Sequence, residues 1–542
     1  MTYTITKDTP TRKFNKHWQF CVGSGHAALA MRTDYCRQLK QVHDELGIQR
    51  VRFHGIFCDD MHTWDTIDVL ADMSTMPGVV PIHENSYRYI GLVYDNILAC
   101  GMKPFVELSF MPSALAKSDK RGTFFYKPNI SMPKDDAQWQ EYIKRFISFL
   151  LARYGKKEVE SWYFEVWNEP DLPLTFFDGT QQDYFHLYEI TVRAIKAAND
   201  KLMVGGPATS GSKWVKAFVE YCGQRNIPVD FITTHQYAGD PLGGVKDQGG
   251  PETISENGLS ETEEYQKQQY EQIDLSQLFA GLSPQDGLLP LYRRILQDNT
   301  ETEDLNRDIL PQNAKIVKLQ ADGRPVFYTE WNTCATFTAA GNDTRKVAAY
   351  NIRTALAAED VLDGSSIWCF SDIFEEAHPF QEEFHGGFGL LTQHGIPKPG
   401  YHAMKLLADA GDERYVLPGA LDGDVSLAAF KKGLDTQILL TRQNLKHFAN
   451  ADAPPSRVIV ELEMDVAPAG VTLRRIDEDN CNPLKVWEEM GAPIDITPTQ
   501  QQEICDKSAM LEETLPFRYE NGRVVIEASL CTNDVHFITV QA

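Results

Sequence analysis

Short apolar or β-branched runs alternate with amphipathic segments along the first three quarters of the chain, and this alternation limits the possible folds more than any other feature. The runs are Trp18–Gly25, Arg50–Phe57, Lys103–Phe110, Ser161–Asn168, Leu202–Pro207, Asp230–Tyr237, Pro325–Asn332 and Gly364–Asp372. Between them lie helix-patterned stretches such as Tyr87–Ala99, Trp139–Tyr154, Gln182–Ala198 and Thr344–Glu359. Within one of these, Trp139, Tyr142, Ile143, Phe146, Phe149 and Leu150 recur at spacings of three and four, which is one buried helix face. Eight strand–helix repeats predict an α/β fold of the (β/α)8 barrel type, with functional side chains at the C-terminal ends of the strands. A doubly wound nucleotide-binding sheet would require a third glycine after Gly23-Ser24-Gly25, and none follows at the expected offset.

Beyond residue 411 the alternation changes to strands alone. Val425–Lys431, Gln437–Thr441, Arg457–Met464, Val471–Ile476, Arg523–Ala528 and Val535–Val540 carry a period of two and predict a β-sandwich. Thr2–Lys7 alternates in the same way. The expected organisation is therefore residues 1–14 as a strand joining the sandwich, 15–411 as the barrel and 412–542 as the sandwich. Residues 238–311 form a long acidic connection between the sixth and seventh strands. They read either as a solvated insertion or as a lid or contact surface over the barrel mouth.

A net charge of −24 argues against nucleic acid or anionic membrane as a partner and suits an enzyme acting on a neutral substrate. Ten cysteines without paired CxxC spacing predict reduced thiols rather than a disulfide framework or a zinc site. The start of the chain has no apolar leader, so a cytoplasmic location is expected. The histidines show no metal-ligand spacing, so neither a metal nor a cofactor is expected.

Two predicted strands end in a glutamate beside a tryptophan. The fourth closes as Val166-Trp167-Asn168-Glu169-Pro170, and the seventh runs Tyr328-Thr329-Glu330-Trp331. In a barrel both would converge on one mouth. Strands disfavour Glu, Asn and Pro, and a carboxyl desolvated by Trp167 has a raised pKa, which suits a general acid. Two carboxylates about 5–5.5 Å apart are the apparatus of a retaining glycosidase.

These motifs resemble the acid/base and nucleophile motifs of the large glycosidase clan whose catalytic glutamates lie on strands four and seven. Arg52-Phe53-His54-Gly55, Phe124-Phe125-Tyr126-Lys127-Pro128, Thr234-His235-Gln236-Tyr237, Trp368-Cys369-Phe370-Ser371-Asp372-Ile373-Phe374-Glu375-Glu376 and Phe384-His385-Gly386-Gly387-Phe388-Gly389 narrow the resemblance. The chain is similar to glycoside hydrolase family 39, the β-xylosidase and α-L-iduronidase family. The resemblance implies Glu169 as acid/base and Glu330 as nucleophile, with Arg52 keeping Glu330 ionised. It further implies that His54, Asn168, His235, Tyr237, Trp368, Glu375, Glu376 and Phe125 bind sugar; because neighbours on an extended chain point opposite ways, one of Glu375 and Glu376 is expected to face solvent.

The segment Trp368–Phe388 lacks Arg and Lys and carries Asp372, Glu375, Glu376, Glu382 and Glu383, which disfavours a uronate. The expected activity is thus a retaining β-xylosidase on xylo-oligosaccharides. Arabinosides, β-galactosides and iduronides are the nearest alternatives, and a catalytically silent sugar-binding barrel is the alternative from another class. The tail and the 238–311 insertion are the segments that could supply contacts to a second copy in a homo-oligomer.

Overall fold

The computed structural model describes residues 1–67, 82–173, 175–240, 280–281, 289–296, 298–377 and 379–542. Eight parallel strands close into a barrel: β1 (Cys21–His26), β2 (Arg50–His54), β3 (Lys103–Leu108), β4 (Tyr163–Val166), β5 (Met203–Thr209), β6 (Phe231–Gly239), β7 (Val326–Cys334) and β8 (Gly364–Ile367). A helix follows each strand: α1 (Thr33–Leu46), α2 (Arg88–Ala99), α3 (Asp136–Tyr154), α4 (Gln181–Ala198), α5 (Val215–Arg225), α6 (Ile309–Gln320), α7 (Arg345–Ala358) and α8 (Pro399–Asp409). Local chemistry starts several of them. Asp135 caps α3, and Thr180 with Asp183 forms a capping box on α4. On α3 the buried face takes Ile147 and leaves Phe149 half-buried, a small rotation from the predicted face. Trp18 falls in a short 3-10 turn before β1 instead of in the strand.

Residues beyond α8 build two facing sheets. One orders Thr2–Ile5, Ser456–Glu463, Arg523–Leu530 and Phe517–Glu520; the other has seven strands and takes in Thr11–Lys13 at its edge. The chain start therefore pairs with both sheets, Thr2–Ile5 parallel to Ser456–Glu463 and Thr11–Lys13 antiparallel to Glu413–Tyr415. The sandwich has its own core of Ile5, Leu427, Ile438, Val460, Ile526 and neighbours. Its outer face joins the barrel core through Phe430, Leu439 and Phe537. Helix α7 lies between the two domains and is consequently buried on nearly every side, with Arg353 pairing with Asp308 and reaching Ser426 of the sandwich.

The expectation of strands alone in the tail is corrected by two helices, Pro483–Glu489 and Pro498–Lys507. Each begins with Pro in its first turn after an Asn or Thr cap, a start signal that the strand periodicity obscured. They pack Trp487 and Ile504 against Phe384 and Ile396 in the loop after β8. Most of the 238–311 connection lies outside the described residues. Among the described residues no helix is long and apolar enough to cross a membrane.

Candidate active site

Aromatic residues fill the lower end of the barrel and charged residues fill the upper. Cys21, Phe105, Phe231 and Phe327, packed against Phe20 and Tyr163, close the N-terminal end, with Arg50 over the Phe20 ring at 4.7 Å. Two residues further along β2, on the same face, Arg52 is fully buried. Its Nε donates to Glu165 Oε2 at 2.6 Å, Nη1 to Glu330 Oε1 at 2.7 Å, and Nη2 to Asn168 Oδ1 at 2.9 Å. Nη2 also lies 2.8 Å from Glu107 Oε2. A guanidinium keeps its charge at any working pH, so this fork holds four acceptors in fixed positions.

Glu330 reaches that fork because β7 carries one extra residue. Thr234 and His235 of β6 pair with Tyr328 and Glu330, skipping Thr329, and the pairing with β8 shifts over the same stretch. Such a bulge re-aims side chains. Here Thr329 Oγ1 bonds Glu165 at 2.8 Å while the next residue, Glu330, bonds Arg52 and accepts from the Tyr237 hydroxyl at 2.7 Å. Both oxygens of Glu330 are thus held by donors.

Glu169 occupies a different environment. It follows β4 in a turn where Trp167 (φ +73°) and Glu169 (φ +40°) adopt left-handed backbone, fixed by a bond from the Glu169 N–H to the Ala208 carbonyl at 2.9 Å. Trp167 is fully buried and donates to the Phe176 carbonyl at 2.9 Å. Burial, together with Asp171 and Asp240, raises the Glu169 carboxyl well above the usual range, against the opposing charges of Arg52 and Lys213. His235 Nδ1 lies 2.9 Å from Glu169 Oε1 and 3.7 Å from Glu330 Oε2. Burial pushes that imidazole down to about 4, so it is neutral. One ligand-type atom each of Glu169, His235 and Glu330 lies within 4.8 Å of the others.

The remaining predicted residues divide by position. Asn168 presents a buried Nδ2 with no hydrogen-bond partner, a donor left over once Oδ1 has accepted from Arg52. His54 Nε2 lies 3.5 Å from Glu330 Oε1 and 3.6 Å from Glu376 Oε1, and its ring faces Phe124 and Trp368. Glu376 is buried, whereas Glu375 points outward and pairs with Arg32. Phe125 is 58% exposed on the rim, and its N–H donates to the Glu376 carbonyl.

A profile of glycosyl hydrolases family 39 matches residues 1–318 and 249–524. The chain belongs to glycosyl hydrolases family 39. It is 33% identical over 549 residues to a β-xylosidase of Caldicellulosiruptor saccharolyticus, covering 100% of this chain and 98% of that protein. It is 30% identical to a β-xylosidase of Geobacillus stearothermophilus over 98% of this chain and 93% of that protein. A crystal structure of a monomeric β-xylosidase from Caulobacter crescentus superposes with a TM-score of 0.75 at 28% identity, covering 100% of this chain and 99% of that one.

In this family 39 protein the trio Glu169, His235 and Glu330 has the spacing of a metal site, but its chemistry fits a proton-transfer site better. A cation there would face the permanent charge of Arg52, and both oxygens of Glu330 already accept from Arg52 and Tyr237.

The acidity of the β8 loop needs correcting. Lys398, just outside the Trp368–Phe388 window, is buried against Asp343 at 2.6 Å and Asp372 at 2.5 Å. Glu375 is paired with Arg32 and Glu383 with His394. Only Glu376 of that set, among the described contacts, turns its carboxylate toward His54 and Glu330. Asp372 instead anchors the glycine-rich turn, since its Oδ1 accepts from the Gly389 N–H at 2.7 Å and a Cβ on Gly387 would lie 2.2 Å from that oxygen.

Sequence reasoning missed Glu107 and Glu165, which lie side by side on β3 and β4 and are wholly buried. The signal was present: each is a lone acid inside an apolar run, and Arg52 is a cation flanked by Val51 and Phe53 inside a neighbouring run.

Proposed function

We propose that this family 39 glycosidase is a retaining exo-β-xylosidase that releases terminal xylose from xylo-oligosaccharides by double displacement. One observation carries the mechanism: carboxyl oxygens of Glu169 and Glu330 lie within 4.8 Å of each other in opposite electrostatic settings. In this reading Glu330, held by Arg52 and Tyr237, attacks the anomeric carbon. Glu169, kept protonated by burial, gives its proton to the leaving oxygen. In the second half-reaction Glu169 takes a proton from water, which then displaces Glu330. Asn168 Nδ2 supplies the donor to a ring hydroxyl, and Trp368 with Phe124 walls the ring.

A neutral sugar is favoured over an iduronide because the nearby cations are engaged. Arg52 serves four acceptors, and Lys213 lies 3.3 Å from Asp171. The identity of the full-length relatives supports xylose in particular. The test is a panel of p-nitrophenyl glycosides. The β-xyloside is expected to turn over fastest, and faster turnover of an arabinoside, β-galactoside or iduronide would overturn the substrate assignment. No turnover of any of them would favour a silent sugar-binding barrel.

A further inference from the structure

Glu107 is fully buried behind His54, and fixed partners face both of its carboxyl oxygens. Its Oε1 accepts from the Ser109 hydroxyl, which itself accepts from the Gly55 N–H at 3.2 Å and therefore has its one proton free to donate. Its Oε2 lies 2.8 Å from Arg52 Nη2 and 2.7 Å from His54 Nδ1. Arginine has no acceptor, so both carboxyl oxygens are already supplied with protons from fixed donors before His54 is considered. The residue is fully buried, as is nearly all of His54.

We infer that Glu107 is a positioning residue that fixes His54 as the Nδ1–H tautomer, so that Nε2 offers a lone pair to a hydroxyl of the bound sugar. Burial pushes the imidazole down to about 3, so it is neutral and carries a single N–H. Burial also raises Glu107 to about 7 against Arg52 and Ser109, so above that pH it is an acceptor only. The single N–H of His54 must then face Glu107. Across the ring, Nε2 lies 3.5 Å from Glu330 Oε1 and 3.6 Å from Glu376 Oε1, too far for direct bonds. Glu376 Oε1 has no hydrogen-bond partner. An acceptor nitrogen facing two carboxyl oxygens leaves a place that a hydroxyl donor satisfies. A protonated Nε2 would instead donate toward Glu330 and compete with the attacking lone pair.

The choice of substrate rests on the glycosidase reading, but the tautomer is read from the enzyme alone, so the two fail separately. The experiment is a long-range proton–nitrogen correlation spectrum of ring-labelled histidine at pH 8, assigned with H54Q, and run on the wild type, E107Q and E107L. The wild type is expected to show His54 with protonated Nδ1 and bare Nε2. The glutamine of E107Q keeps an acceptor oxygen for Arg52 and His54 and turns its amide toward Ser109, so this variant is expected to keep that signature. E107L is expected to lose it, with kcat/KM for an aryl xyloside down roughly tenfold or more. Among monodeoxy xylosides, the penalty for one missing hydroxyl should be present in the wild type and shrink in E107L. A wild-type His54 protonated at Nε2, or an E107L enzyme with its tautomer unchanged, overturns the inference. If E107L does not fold, the wild-type and E107Q spectra decide it.

Discussion

The Tyr237 hydroxyl donates to Glu330 Oε2 at 2.7 Å while Arg52 holds the other oxygen of the same carboxylate. Tyr237 and Arg52 therefore share the carboxylate charge of Glu330 and fix its orientation. A hydrogen bond to a charged group contributes about 1.5–3 kcal/mol. Tyr237→Phe is expected to lower kcat for an aryl β-xyloside by roughly 10- to 150-fold, measured by steady-state kinetics, with the folded state unchanged by circular dichroism.

The raised proton affinity of Glu169 sets the sign of a pH prediction. A general acid works while protonated, so activity falls as pH rises through its pKa, and burial with Asp171 and Asp240 moves that fall upward. Lys213 acts in the opposite direction. Lys213→Met is therefore expected to move the alkaline limb of kcat/KM to higher pH, and Glu169→Gln to abolish that limb along with most activity toward poor leaving groups. Added azide should restore turnover of activated substrates by Glu169→Ala. A pH profile with and without azide checks all three.

Glu375 and Glu376 are neighbours in sequence and opposites in environment. Burial, together with Glu330 and Glu107, raises Glu376 well above the usual carboxyl range, so an uncharged glutamine of the same shape suits that environment. Glu376→Gln is expected to retain far more activity than Glu376→Ala, which should lose roughly a hundredfold. Glu375→Ala, removing a half-exposed pair with Arg32, should stay within about twofold. Side-by-side kinetics of the three variants give the ranking.

The eightfold repeat, the sandwich and the two strand ends with glutamate near tryptophan were legible because each rests on a local period or a residue out of place in a strand. The bulge at Thr329 was not, because it exists only in the pairing of β7 with its two neighbours. Likewise Lys398 neutralises Asp372 from a position beyond the loop segment that itself lacks cations. The helices at Pro483–Glu489 and Pro498–Lys507 show a third cause: short caps outweighed by the strand pattern around them.

Lys398 also gives a stability prediction. It is buried between Asp343 and Asp372, and it donates to the Gly387 carbonyl at 3.1 Å. Removing one member of a buried charge cluster strands the others and costs about 3–5 kcal/mol. Lys398→Met is expected to lower the urea midpoint accordingly. Loss of the clamp should also raise KM, since the clamp holds the loop that carries Trp368 and Glu376.

The central claim is that Glu330 becomes covalently attached to the sugar while Glu169 does not. Its most direct test is incubation with 2-deoxy-2-fluoro-β-xylosyl fluoride, in which the fluorine slows breakdown of the intermediate, followed by peptide mapping in a mass spectrometer. A single fluoroxylosyl adduct on Glu330 is the predicted result. An adduct on Glu169, or no adduct together with inverted product from the ordinary substrate, would contradict it.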